Sequence, residues 1–233
     1  ASGSGKSYQL YNHIIDSAIA NPHVNYLIVV PDQFTMQTQL EMVRKHPRRG
    51  IMNIDVLSFG RLSHRIFEEV GGNDKPVLDD TGKSLVLRRV AASVEEELGV
   101  MKRNIRKTGY ISEVKSALSE FMQYGLGTKD VEKLCVYASG RNALACKLKD
   151  LHILYENFLK FINERYITTE ETLDLLRKAL PRSRVVKDSV IVFDGFTGFT
   201  PIQYGVMQEL MVQAQEVIVT VTMRRTGSRS SFI

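Results

Sequence analysis

The sequence predicts a parallel α/β domain interrupted by an all-helical insertion. Three observations carry that prediction. Short apolar runs rich in β-branched residues alternate with amphipathic stretches at both ends of the chain. Between about Pro76 and Arg184 the apolar residues recur only at helical spacing. And Gly5-Lys6-Ser7 has the form of the end of a phosphate-binding loop, G-x-x-x-x-G-K-S/T.

The chain opens Ala1-Ser2-Gly3-Ser4-Gly5-Lys6-Ser7. The first glycine of the pattern would fall one position before Ala1, with the loop's leading strand ahead of it. Gly3 and Gly5 let successive backbone N–H groups turn inward on an anion. In this pattern Lys6 reaches the β- and γ-phosphates and Ser7 holds a magnesium ion, so Gly3, Ser4, Gly5, Lys6 and Ser7 form the candidate nucleotide-binding set. Tyr8, Leu10, Tyr11, Ile14, Ile15 and Ile19 predict a helix that points its positive N-terminal end at the phosphates. The bland alternative is a flexible Gly/Ser terminus.

Tyr26 to Val30 is a continuous apolar run ending at Pro31, as a buried parallel strand reads. Asp32-Gln33-Phe34-Thr35 opens a second helix with Met36, Leu40 and Val43 on one face. A second strand covers Asn53 to Leu57, and Ser58 is placed to cap a helix carrying Leu62, Ile66 and Val70, which Gly71-Gly72-Asn73 ends. In the insertion, Asp79 and Asp80 precede Leu85, Val86, Val90, Val94 and Leu98. Further stripes run through Ile111, Val114, Leu118, Phe121 and Met122, and through Leu144, Leu148, Leu151, Tyr155, Phe158 and Ile162. Shorter helices are expected over Lys129 to Tyr137 and Glu170 to Leu180, and no sheet is expected in this region. These stripes are core faces, with no cofactor box among them. The α/β pattern resumes with the strand Ser189 to Asp194, a Gly/Thr/Phe/Pro loop to Gly205, a helix carrying Ile202, Val206, Leu210 and Met211, and a last strand from Glu216 to Thr222. The expected parts are thus 1–75 and 185–223 for the α/β domain, 76–184 for the insertion and 224–233 for a disordered tail.

With 43% hydrophobic and 24% charged residues the composition is that of a globular protein. No apolar run approaches the roughly 20 residues of a membrane span, and no signal peptide is visible. Two cysteines, Cys135 and Cys146, make no disulfide framework and fit a reducing cytosol, so a cytoplasmic protein is expected. Five scattered histidines make no zinc-type cluster, and a net charge of +5 permits a polyanionic partner.

Asp194, at the end of an apolar strand, is placed like the acid that ligates magnesium opposite Ser7. The bland reading is a strand-end Asp capping the next turn. Motor ATPases usually carry a glutamate after this Asp to orient the attacking water. Here the next residue is Gly195, and Glu209 lies about four helical turns of sequence away.

Gly3-Ser4-Gly5-Lys6-Ser7, Val29-Val30-Pro31-Asp32-Gln33-Phe34-Thr35, Val56-Leu57-Ser58-Phe59-Gly60-Arg61-Leu62 and Phe193-Asp194-Gly195-Phe196-Thr197-Gly198-Phe199-Thr200-Pro201-Ile202-Gln203 occur in that order. This resembles the N-terminal region of the B subunit of bacterial ATP-dependent helicase–deoxyribonucleases of the AddAB/RexAB type, over essentially residues 1–223. The D-G-F-x-x-F-T-P-x-Q block is its most specific part. The resemblance implies a P-loop, RecA-like, superfamily-1 helicase-like fold with an all-helical insertion subdomain. It implies ATP and Mg2+ as cofactors, and a heterodimer with the A subunit acting on DNA in double-strand break repair by homologous recombination, away from membranes. It also implies roles for single residues. Lys6, Ser7 and Asp194 map to nucleotide and magnesium contacts, and Gln203 is a candidate γ-phosphate sensor. Asp32, Gln33, Thr35, Ser58 and Arg61 map to single-stranded DNA contacts. Arg44, Lys45, Arg48 and Arg49 read either as a phosphate track or, more simply, as a solvated charged loop.

The family's exonuclease domain, its cysteine-bound iron–sulfur cluster and its second RecA-like half with arginine fingers belong to the full-length protein beyond this sequence. No catalytic residue is therefore assigned, and with Gly195 in place of glutamate the motor motifs read as degenerate. The rival readings are a self-sufficient P-loop ATPase or small-molecule kinase, and a scaffold with a vestigial loop.

Overall fold

A computed structural model describes residues 5–72, 75–163 and 165–221. Gly3, Ser4 and the 224–233 tail lie outside the described residues. The chain forms two compact units, Ala1–Gly71 with Leu176–Phe199 and Val206–Ile233, and Gly72–Leu175 with Thr200–Gly205.

The first unit is built on four parallel strands, β1 (Asn25–Val29), β2 (Ile54–Leu57), β5 (Ser189–Phe193) and β6 (Glu216–Val219), in the order β2-β1-β5-β6. The two central strands are the continuous β-branched runs. Leu27, Ile28, Val29, Ile191, Val192 and Phe193 have no exposed surface, as expected of strands covered on both faces. Helix α1 (Lys6–Ala20) lays Tyr11, Ile14, Ile15 and Ala18 against Ile28, Val30, Ile54, Val56 and Val192. Asn53 ties the turn after α1 to the sheet, its amide donating to the carbonyls of Ala18, Asn21 and Val24.

Helix α2 (Thr35–Lys45) buries Thr35, Thr38 and Met42, whereas the apolar face read from the sequence leaves Met36 and Leu40 exposed, at 65% and 48%. The polar threonines turn inward because the helix starts from a 3₁₀ turn over Asp32–Phe34, where the Thr35 hydroxyl donates to the Asp32 carbonyl. Ser58 caps α3 (Phe59–Val70) as expected, accepting from the Arg61 N–H, and Gly71 ends it at φ 70°. In α3 both Leu62 and Ile66 are fully buried.

The second unit contains β3 (Val77–Leu78), α4 (Asp80–Ser93), α5 (Thr108–Gln123), α6 (Thr128–Tyr137), α7 (Asn142–Ile162), β4 (Ile167–Thr168) and the start of α8 (Thr169–Ala179). Its core joins the three predicted stripes: Val86, Val90, Val94 and Leu98 meet Ile111, Val114, Leu118 and Met122, and these meet Tyr155, Phe158 and Ile162. Leu85 and Leu144 lie outside it, exposed. The expectation of no sheet needs correction. β3 and β4 pair in parallel, Val77 with Ile167 and Leu78 with Thr168, where the segments entering and leaving the helical stack run side by side. Asp79 caps α4 through the Gly82 N–H, and buried Asp150 of α7 accepts from the N–H groups of Gly99 and Met101. The remaining helices are α9 (Arg184–Lys187), in the first unit, and α10 (Pro201–Gln213), whose start falls in the second unit and whose remainder falls in the first.

At the heart of the helical unit Lys83 of α4 is 2% exposed, and its Nζ lies 3.0 and 2.8 Å from the two oxygens of Glu170, itself 7% exposed. A buried pair costs more to break than to replace. Lys83→Met alone should destabilise the unit by about 3–5 kcal/mol, while Lys83→Met with Glu170→Leu should recover most of that loss. Urea unfolding of the two variants checks this, and equal losses for both would deny the pair its buried character.

Candidate functional site

The parallel register sets the C-terminal ends of the four strands level. Val29 pairs with Leu57 on one side and with Phe193 on the other, and Phe193 pairs with Val219. The residues just past these ends therefore gather at one edge of the sheet, where ligands bind in open parallel sheets. They are Val30, Ser58, Asp194 and Thr220.

Helix α1 brings the phosphate-loop sequence to the same edge. Gly5, at its N-cap, is left-handed (φ 76°, ψ 13°), a conformation that costs other residues strain, and its carbonyl accepts from the Gln9 N–H. Ser7 in the first turn and Tyr11 one turn later face a cavity of about 330 Å³, with Phe34, Gln37, Glu41 and Asp194 among its walls.

Asp194 is the centre of this edge. It is 4% exposed, and each of its oxygens accepts a hydroxyl: Tyr11 donates to Oδ2 at 2.7 Å and Thr220 to Oδ1 at 2.5 Å. Its backbone N–H donates to the Val29 carbonyl. Burial, reinforced by the neighbouring carboxylate, holds the Tyr11 phenol well above its ordinary range, so it stays a proton donor. Gly195 follows at φ 79°, so a side chain there would be strained even though the nearest atoms, of Phe34 and Pro31, stand 3.6 Å from where its Cβ would be. Beyond it Phe196 and Phe199 stack at 4.7 Å between ring centres, and Phe196 meets Phe59 at 5.7 Å.

The structure thus brings Ser7 and Asp194, two of the sequence-derived candidates, onto one cavity. Lys6 is half-buried at the start of α1. Gln203 is occupied at the start of α10, where its side-chain oxygen accepts from the Thr200 N–H and the Thr200 hydroxyl accepts from the Gln203 N–H, a capping box. Among the candidate DNA contacts, Asp32, Gln33 and Arg61 are exposed, while Thr35 and Ser58 are buried and engaged in local hydrogen bonds. Lys45, from the basic cluster, sits 3.3 Å over the Tyr8 ring and 3.8 Å from Glu41.

Three residues of the site escape a reading of the sequence. Tyr11 is there one member of an apolar stripe and Thr220 one position in a strand; neither pattern signals a hydroxyl aimed at a distant acid. Glu41 is a carboxylate on the same cavity as Ser7, reached through the fold rather than through the sequence next to Asp194. Among the described residues no group of three or more His, Cys, Asp or Glu is arranged to hold a metal by itself, and no helix is long and apolar enough to cross a membrane.

The family described as ADDB, N-terminal, matches residues 1–231. The chain belongs to this family. This ADDB N-terminal chain is 47% identical over 222 residues to the B subunit of the ATP-dependent helicase/deoxyribonuclease of Lachnoclostridium phytofermentans, a match covering 95% of the chain and 19% of that relative. It is 34% identical over 221 residues to the same subunit from Desulforamulus reducens, covering 93% and 19%, and 32% identical over 227 residues to that from Bacillus subtilis, covering 95% and 20%. It therefore spans about a fifth of the length of these relatives.

Removing the Asp194 carboxylate leaves two hydroxyls without their acceptor, one of them buried. Asp194→Ala should cost about 2–3 kcal/mol of stability, and Asp194→Asn less, because one amide oxygen remains. Chemical denaturation of both variants gives the comparison, and an Asp194→Ala protein as stable as the parent would show that the carboxylate ties nothing together.

Proposed function

We propose that this chain is a nucleotide- and DNA-binding helicase-like module of a helicase–deoxyribonuclease. In this reading its α/β unit is a P-loop, RecA-like domain with degenerate motor motifs. The single observation that carries the proposal is the meeting of Ser7, from the phosphate-loop sequence, with Asp194 on one cavity at the C-terminal edge of a parallel sheet. The names of the relatives support a DNA-processing assembly with a partner, the A subunit. The proposal extends that setting to a cytoplasmic heterodimer acting in double-strand break repair by homologous recombination.

The residues present fit ATP with magnesium. The α1 N-terminus offers backbone N–H groups and the helix dipole to phosphate oxygens, and Lys6 adds a charge for the terminal phosphates. Ser7 would hold the ion directly. Asp194 would act on it directly or through water, since one lone pair on each oxygen is taken by a hydroxyl and one remains. When bound, the ion supplies charge neutralisation at the phosphates. Gln203 remains a candidate sensor of the terminal phosphate, and exposed Asp32, Gln33 and Arg61 remain candidate contacts to single-stranded DNA.

Binding without turnover is the expected outcome. Hydrolysis needs a group that positions water and an arginine that stabilises the developing charge, and loss of the arginine alone costs about 10³–10⁵ in rate. Gly195 stands where the positioning acid usually follows. One observation favours a self-sufficient ATPase as a second reading: Glu41 places a carboxylate on the cavity.

Lys6→Ala should weaken ATP binding at least about tenfold, or ~1.4 kcal/mol, as read by calorimetry. An unchanged affinity would leave only the scaffold reading. Steady-state phosphate release, with and without single-stranded oligonucleotide, should stay at background. Turnover above ~1 per second, the ordinary enzyme range, that is lost in both Lys6→Ala and Glu41→Gln would establish the second reading instead.

A further inference from the structure

We propose that Tyr11 and Thr220 are positioning residues for the metal that accompanies the nucleotide: each hydroxyl takes one acceptor site on Asp194, fixes the carboxylate's orientation, and leaves the other site on that oxygen for a magnesium ion or its water. The inference rests on the nucleotide-binding reading above and adds to it the residues that orient its acid.

An ionised carboxylate only accepts, at about four lone-pair sites. Two are taken here, Oδ2 by the Tyr11 hydroxyl at 2.7 Å and Oδ1 by the Thr220 hydroxyl at 2.5 Å. One site on each oxygen remains. Asp194 is 4% exposed and lines the cavity that Ser7 also lines, so those sites belong to the edge where the ion would sit.

Both donors are themselves fixed. Tyr11 is buried in the core of the sheet with Ile14, Ile15 and Val30, and the Thr38 hydroxyl of α2 meets its phenol. The Thr220 N–H donates to the Phe193 carbonyl at 2.9 Å, and the Asp194 N–H to the Val29 carbonyl at 3.1 Å. The acid is thus held at its backbone from β1, at one oxygen from α1 and at the other from the end of β6. It cannot turn about its last bond without breaking a hydrogen bond to an ionised acceptor, which is the strong kind.

That rigidity matters to magnesium more than to most ligands. The ion demands a near-octahedral shell, keeps several waters, and is held by one or two carboxylates together with phosphate oxygens. An acid already turned the right way loses no orientational freedom on meeting it. Outer-shell partners that fix a ligating group in this way are typically worth about 10–100-fold in metal affinity. Neither hydroxyl belongs to the phosphate-loop pattern; both act through Asp194.

The test measures ATP affinity by calorimetry on the full-length protein, in excess magnesium and in excess EDTA, with thermal unfolding as the check on folding. The variants are Tyr11→Phe, Thr220→Val and Thr220→Ser, with Asp194→Asn as the reference for loss of the acid's charge. Tyr11→Phe and Thr220→Val should each weaken binding in magnesium by about tenfold or more, and leave the affinity in EDTA within about threefold of the parent's. Thr220→Ser restores a hydroxyl and should bind as the parent does in both conditions. If Tyr11→Phe does not fold, the Thr220 pair carries the test. Variants that melt earlier but keep the parent's affinity in magnesium overturn the proposal, because the hydroxyls then only tie the fold together. So do variants weakened equally in both conditions. A parent that binds ATP equally well in magnesium and in EDTA overturns it while leaving nucleotide binding in place. No ATP binding by the parent in either condition overturns the nucleotide reading and this inference with it.

Discussion

A single buried carboxylate organises the functional edge of this molecule. Asp194 ends a central strand, and a carboxylate in that position needs partners, because an unpaired buried charge is far costlier than any one packing contact. The fold supplies Tyr11 from the first helix and Thr220 from the end of the edge strand, elements separated by most of the chain. The bonds that satisfy Asp194 also hold the phosphate-loop helix against the sheet. Site and scaffold are therefore coupled. The helix that would present its N-terminus to an anion is docked by an acid that lines the same cavity as Ser7.

Much of the fold was legible in the sequence. The two central strands of the main sheet announce themselves as β-branched apolar runs, because strands covered on both faces have no room for polar side chains, while the edge strands admit Asp55 and Glu216. The cap at Ser58 was equally readable: its hydroxyl accepts from the N–H three residues on. The stripes of the insertion meet in one core as their spacing required, apart from Leu85, Leu144 and Leu148. What escaped has physical reasons. A two-residue strand such as Val77–Leu78 is shorter than any periodicity. Helix α2 buries two threonines, the Thr35 hydroxyl satisfied by the Asp32 carbonyl and the Thr38 hydroxyl meeting Tyr11, so polarity misreports its inner face. Partners far apart in sequence, such as Lys83 with Glu170, leave no local trace at all.

The candidate site divides the same way. Gly5, Lys6, Ser7 and Asp194 stood out as candidates because a phosphate-loop pattern and a strand-end acid have fixed chemical duties. Tyr11, Thr220 and Glu41 were not, because their significance lies in direction rather than type. The sequence marks the candidates Ser7 and Asp194, and the fold adds the side chains that share their cavity.

The central claim is that the α1 N-terminus and the Asp194 edge form one nucleotide site. Hydrogen exchange of the full-length protein, with and without a non-hydrolysable ATP analogue, tests it directly. The account predicts slower exchange in the analogue's presence at the amides of residues 5–9 and 194–195. Exchange unchanged there, or slowed only within the helical unit, would contradict it.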